Sequence, residues 1–165
     1  MSNITSKKIV LIEDEQTLAD VIVRKLTIEG YTPTHATDGM AGLDLIRHEK
    51  PDLVLLDMML EKTNGFQVLE VMRAEDALRY LKVIIISNSG QPVEIERALE
   101  LGVKDYLIKT QFDLDELMSK VRTQLHDEGK KAPHAHALSE KKILIVEDDK
   151  FLRDLVSQKF RNESV

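Results

Sequence analysis

Four short apolar runs constrain this chain more than anything else in it: residues 9–12 (IVLI), 53–56 (LVLL), 83–86 (VIII) and 106–108 (YLI). None of them alternates with polar residues. A strand with one wet face alternates, whereas an unbroken run belongs to a strand covered on both faces, as in a parallel sheet wrapped by helices. The stretches between the runs carry helical spacing. Residues 15–29 place Leu18, Val21, Ile22 and Leu26 on a repeating face, and Gly30 can close that helix. Asp38 can cap a second helix through Leu43 and Ile46 that ends before Pro51. A third is expected over 65–77 with Phe66, Leu69 and Met72 inward, and a fourth from Pro92 through Ile95, Ala98 and Leu99 to Gly102. A fifth starts at Asp113, whose spacing to Glu116 suits a capping box, and carries the stripe Leu114, Leu117, Val121, Leu125.

One weaker strand completes the alternation. Residues 31–36 read YTPTHA, and Pro33 cannot donate to a ladder, which sends this strand to an edge. Five strands alternating with five helices predict a doubly wound α/β fold, a five-stranded parallel sheet of order 2-1-3-4-5 with right-handed crossovers.

Composition narrows the function classes. The formal charge of −6 and the absence of any Lys/Arg run longer than two argue against a nucleic-acid surface. With no cysteine, disulfide frameworks, thiolate metal sites and thiol nucleophiles are excluded, which fits a cytoplasmic location. The opening MSNITSKK lacks the apolar core of a signal peptide, and no apolar run approaches the ~20 residues a membrane span needs.

The chain repeats itself once. KKIVLIEDEQTLADVIVRKL from Lys7 and KKILIVEDDKFLRDLVSQKF from Lys141 align without a gap. Between them, HDEGKKAPHAHALSEK has the polar, Gly/Pro-containing character of a linker, in which His134 and His136 read as solvated residues. One domain over residues 5–127, a linker over 128–140 and the strand-plus-helix start of a second, similar domain over 141–165 are expected. A lone strand and helix have no core. The second copy therefore reads as the front of a domain cut short, with a docked tail helix or strand exchange between two chains as alternatives.

In open α/β sheets ligands bind beyond the carboxyl ends of the strands. There the first strand delivers Glu13 and Asp14, the third Asp57, the fourth Ser87 and the fifth Lys109. Converging carboxylates disfavour each other's ionisation unless a cation joins them, and a hard divalent ion with oxygen ligands resolves this. Asp57 would then be free to act as a carboxylate nucleophile towards a phosphoryl donor, with the cation and Lys109 spreading the transferring charge.

This set, each member at a strand end in this order, resembles the receiver domain of bacterial response regulators, over about residues 7–127. The resemblance implies a flavodoxin-like receiver fold in two-component or phosphorelay signalling, not a turnover enzyme. It implies that Asp57 is the phosphoacceptor. Mg²⁺ (or Mn²⁺) would be held by Asp14, Asp57 and the backbone carbonyl of Met59, with Glu13 helping through water. Ser87 and Tyr106 would form the switch, Lys109 would pair with the phosphoryl group, and the face of the fourth helix, fifth strand and fifth helix would respond. The implied partners are a sensor histidine kinase or histidine phosphotransfer protein and a second copy across that face, with no direct nucleic-acid or membrane contact. The chain departs from the family pattern at Thr110, where a Pro often follows the lysine and where a trans bond is expected, at Asn88, and at Met59, which cannot orient a water. Slow spontaneous dephosphorylation follows.

Three rivals come from other classes. A dinucleotide-binding domain needs a Gly-rich turn after the first strand, and EDEQT supplies acids instead. A Mg²⁺-dependent phosphohydrolase needs a second acid to activate water, which DMML lacks. A degenerate receiver working only as an interaction module is opposed by the full acid set.

Overall fold

The computed structural model describes residues 6–111 and 113–126. Five strands and five helices alternate: β1 (Lys8–Ile12), α1 (Gln16–Ile28), β2 (Thr32–Ala36), α2 (Gly39–Glu49), β3 (Leu53–Asp57), α3 (Gly65–Ala74), β4 (Lys82–Ser87), α4 (Pro92–Glu100), β5 (Asp105–Ile108) and α5 (Leu114–His126). All pairings are parallel and the order is β2-β1-β3-β4-β5, as expected. The linker and second copy expected over 128–165 lie outside the described residues.

The unbroken apolar runs bury both faces of the sheet. Val10, Ile12, Val54, Leu56, Val83 and Ile85 face a core closed by α2, α3 and α4, and Ile9, Leu11, Leu53, Leu55, Ile84 and Ile86 face one closed by α1 and α5. Register brings the strand ends level. Ile12 pairs with Ala36 and Leu56, Asp57 pairs with Ile86, and Ser87 pairs with Ile108. The residues that follow β1, β3, β4 and β5 therefore meet at one edge. Pro33 lies on edge strand β2, where it costs no central ladder bond.

The helix signals are realised with small shifts. Asp38 caps α2 by accepting from Ala41 N at 2.9 Å. Asp113 accepts from Glu116 N at 2.7 Å at the start of α5. Asn64 and Gln67 form a reciprocal capping box on α3. Gly30 takes φ +90° after α1, where a side chain would be strained. In α1 the buried face is Ala19, Ile22 and Leu26, while Val21 is 44% exposed. In α4 Leu99 is likewise exposed beside buried Ile95 and Ala98. Helix α3 stops at Ala74 rather than running to 77: Glu75 turns extended (φ −86°, ψ 123°), and its carboxylate pairs with Arg47 of α2. Among the described residues, no helix is long and apolar enough to cross a membrane.

Candidate functional site

Glu13 leaves β1 still held by sheet geometry, its amide donating to Ala36 O at 3.0 Å. Its side chain is fully buried. Asp57 is the last residue of β3 and is 1% exposed. Two buried carboxylates side by side need a counter-charge, and Lys109 supplies it. Its Nζ is 2.7 Å from Asp57 Oδ2 and 2.8 Å from each Glu13 carboxylate oxygen. The second Asp57 oxygen, Oδ1, accepts from Met59 N at 2.9 Å. Asp57 thus has both oxygens fixed by donors from different segments.

The charge state follows from this packing. Burial pushes the Glu13 carboxyl above the ordinary range; Lys109 counters in part, and the Asp57 charge adds to the rise. For Lys109, burial works to lower the ammonium, but its hydrogen bonds and charge contacts with Asp57 and Glu13 outweigh it, and the net direction is upward. Glu13 Oε1 also accepts from Glu15 N at 3.1 Å, whereas Oε2 has no aligned hydrogen-bond donor despite its nearness to the ammonium.

Asp14 stands beside this pair, half-buried, its Oδ2 accepting from Glu61 N at 3.1 Å. One oxygen from each of Glu13, Asp14 and Asp57 lies within 4.8 Å of the others. An all-oxygen donor set of three carboxylates this close together fits a hard divalent cation. The approach of α3 is part of the frame. Gly65 N donates to Met58 O at 3.1 Å, and a Cβ on Gly65 would stand 2.4 Å from Asp57 O.

The other predicted residues flank this centre. Ser87 is buried at the end of β4, and its Oγ accepts from Ser89 N at 3.2 Å rather than reaching Asp57. Tyr106 is half-buried against the α2–α4 side of the core, and its hydroxyl donates to Ser89 O at 2.6 Å. Burial pushes its phenol up. Both residues therefore hold Ser89, Ser87 by its amide and Tyr106 by its carbonyl. Met59, whose amide orients Asp57, is 59% exposed. The bond to Thr110 is trans, since the described residues contain no cis peptide. Lys109 N donates to Ser87 O at 2.7 Å, which fastens that strand end to β4.

Sequence reasoning missed two residues. His35 Nε2 lies 2.8 Å from Glu13 O. Arg73, half-buried on α3, donates to the carbonyls of Leu101, Arg79 and Leu81 at 2.6, 2.9 and 3.0 Å. Both bind main-chain carbonyls, which no residue pattern advertises.

Comparison with known proteins agrees with this geometry. Residues 9–122 match the family described as response regulator receiver domain. The chain is 30% identical over 142 residues to the DNA-binding dual master transcriptional regulator RpaA of a Synechocystis species, covering 84% of this chain and 58% of that protein. It is 36% identical over 117 residues to the response regulator ArlR of Staphylococcus epidermidis, covering 71% of this chain and 52% of that protein. The chain thus spans little more than half the length of these curated relatives. Among solved structures, a Francisella response regulator receiver domain superposes with a TM-score of 0.68 at 28% identity, covering 73% of this chain and 98% of that one. The CheY-like receiver domain protein of Methanospirillum hungatei, at 24% identity, gives 0.69 over 74% of this chain and 96% of that one, a likeness of fold. The expectation of no nucleic-acid contact gains no support from these relatives, because one of them is named as DNA-binding. A charge balance read over 165 residues speaks only for those residues. Fold, acid-rich strand ends and family match converge: the chain belongs to the response regulator receiver domain family, the phosphoacceptor modules of two-component signalling.

Proposed function

We propose that Asp57 receives a phosphoryl group from a phosphohistidine of a sensor kinase or histidine phosphotransfer protein. A carboxylate oxygen of Asp57 forms the new P–O bond as the P–N bond breaks, and the departing imidazole keeps the electron pair and takes up a proton. The observation that carries this reading is the state of Asp57: buried, both oxygens oriented, and 2.7 Å from an ammonium that can stay with the group being transferred. Mg²⁺ (or Mn²⁺), held by Asp14, Asp57 and the Met59 carbonyl with Glu13 assisting, would supply charge neutralisation for the phosphoryl oxygens. Lys109 would lend its positive charge to the same group. The Met59 amide already orients Asp57.

Transmission is read through Ser89. Ser87 Oγ engages the amide of Ser89 and Tyr106 the carbonyl, so a Ser87 drawn towards a phosphoryl oxygen would release one hold and shift the other. That couples the site to α4 and β5 and makes the α4–β5–α5 face the responding surface, across which a second copy would pair. With Met59 and Asn88 flanking the entrance and no acid there to activate water, the phosphoryl group is expected to persist. The copy of the opening at residues 141–165 supports a tandem-receiver arrangement in a cytoplasmic relay protein.

Incubation with acetyl phosphate, with and without Mg²⁺, followed by intact-mass measurement, tests the reading. One phosphoryl adduct that needs Mg²⁺ and is lost in Asp57→Asn supports it. A folded wild type that gains no adduct would instead favour a module that binds partners without phosphorylation.

A further inference from the structure

His35 belongs to none of the residues that define the family resemblance, yet its ring reaches the frame of the site. It is the penultimate residue of β2, beside Leu11 in the parallel register with β1. Its Nε2 lies 2.8 Å from the backbone oxygen of Glu13. A carbonyl oxygen can only accept, so Nε2 carries the proton and donates. Glu13 N in turn donates to Ala36 O at 3.0 Å. The peptide units on both sides of the Glu13 Cα are thus fastened to the same edge strand, one of them by a side chain.

The ladder itself ends one residue earlier, with Ile12 beside Ala36. Past that point His35 extends β2's hold on the segment from which two of the three clustered carboxylates hang. The peptide it holds is the one that joins Glu13 to Asp14. Its orientation sets ψ of Glu13 and φ of Asp14, and hence the direction in which the Asp14 carboxylate leaves the chain. Asp14 has a second fixed point, Glu61 N at 3.1 Å, and both Glu13 carboxylate oxygens lie 2.8 Å from the Lys109 ammonium.

We propose that His35 is a positioning residue for the acidic cluster: by donating to the Glu13 carbonyl it fixes the Glu13–Asp14 peptide, and thereby sets the affinity for a divalent cation without touching the ion. This rests on reading Glu13, Asp14 and Asp57 as a cation site. Support of this kind acts on binding rather than on the transfer step, because once the cation is bound the carboxylates are already in place.

The test uses the whole chain and Mg²⁺ alone as probe. Mg²⁺ affinity is measured by calorimetry for wild type, His35→Leu and His35→Gln, and the Glu13 carbonyl ¹³C shift is followed by NMR. Phosphorylation rate by acetyl phosphate is then recorded against Mg²⁺ concentration. Loss of one hydrogen bond predicts that His35→Leu binds Mg²⁺ about fivefold more weakly. Its rate at saturating Mg²⁺ should stay within about twofold of wild type. His35→Gln, which keeps a donor at similar reach, should restore both the affinity and the ¹³C shift. If His35→Leu does not fold, His35→Asn, polar but too short, takes its place. Unchanged Mg²⁺ affinity alongside a shifted Glu13 carbonyl would overturn the proposal. So would equal weakening in His35→Gln, which would make His35 a packing residue only. A folded wild type that binds no Mg²⁺ would overturn the cation reading itself, and that result is seen before any His35 variant is compared.

Discussion

Replacing Lys109 with Met removes the ammonium that pairs with two buried carboxylates while keeping an unbranched side chain of similar length. The ammonium lies 2.7 Å from Asp57 and 2.8 Å from Glu13, with its own side chain 7% exposed. At an effective dielectric of about 20, each contact is worth about 6 kcal/mol of gross attraction. Desolvation of all three groups offsets most of it, and removing one partner from such a buried set costs about 3–5 kcal/mol net. That is a large share of the ~5–15 kcal/mol that holds a domain together. The loss should depend on pH. Glu13 is raised in the folded chain, so its contribution to stability is complete below the ordinary carboxylate range and is lost as pH rises through the raised value. Lys109, also raised, contributes below the ordinary lysine range and loses its contribution as pH rises through its own raised value. Taking Lys109 away removes the largest influence that lowers Glu13, so the carboxyl moves further up. The deficit of Lys109→Met should therefore be greatest at neutral pH and shrink on acidification through the Glu13 range. Mg²⁺ should raise the Tm of the variant more than that of wild type, because the cation supplies the missing charge. Urea denaturation at several pH values, with and without Mg²⁺, is the assay. A variant within about 0.5 kcal/mol of wild type at neutral pH, or a deficit independent of pH, would show that Lys109 is not what holds the two carboxylates.

Three further perturbations separate frame from chemistry. Arg73→Met gives up three bonds to the carbonyls of Leu101, Arg79 and Leu81 and should cost about 2–4 kcal/mol. Amide exchange should accelerate at the end of α4 and in 79–81, and a uniform acceleration would contradict this clasp. Gly65→Ala sets a Cβ 2.4 Å from Asp57 O, a backbone atom that cannot swing aside, so α3 must back away. A loss of about 1–3 kcal/mol and slower phosphorylation are expected, against which a stable, normally phosphorylated variant would count. Asp38→Ala removes only the cap of α2, costing about 1 kcal/mol by thermal melting, with phosphorylation unaltered.

The sheet order was legible because its cause is local. Runs such as LVLL and VIII have no polar face to offer solvent, and Pro33 can lie only at an edge. The level strand ends then bring Glu13, Asp14, Asp57 and Lys109 together. What the residues alone did not reveal is how the carboxylates are held when no cation is named: Lys109 bridges the buried Glu13 and Asp57. Helical periodicity placed Val21 and Leu99 inward, but the faces that meet the sheet are narrower than the apolar stripes. The end of α3 falls at Glu75, whose backbone turns extended and whose carboxylate meets Arg47 of another helix, neither of which shows in helical spacing. His35 and Arg73 escaped notice because a bond to a main-chain carbonyl depends on tertiary placement and leaves no spacing to read.

If Asp57 is the phosphoacceptor, chemical trapping shows it most directly. After reaction with acetyl phosphate and Mg²⁺, borohydride reduction converts an aspartyl phosphate to homoserine, which peptide mass mapping locates. Homoserine at position 57 alone, absent when Mg²⁺ is withheld, is the predicted result. Homoserine at Asp14 or another carboxylate, or none in a folded protein, would contradict it.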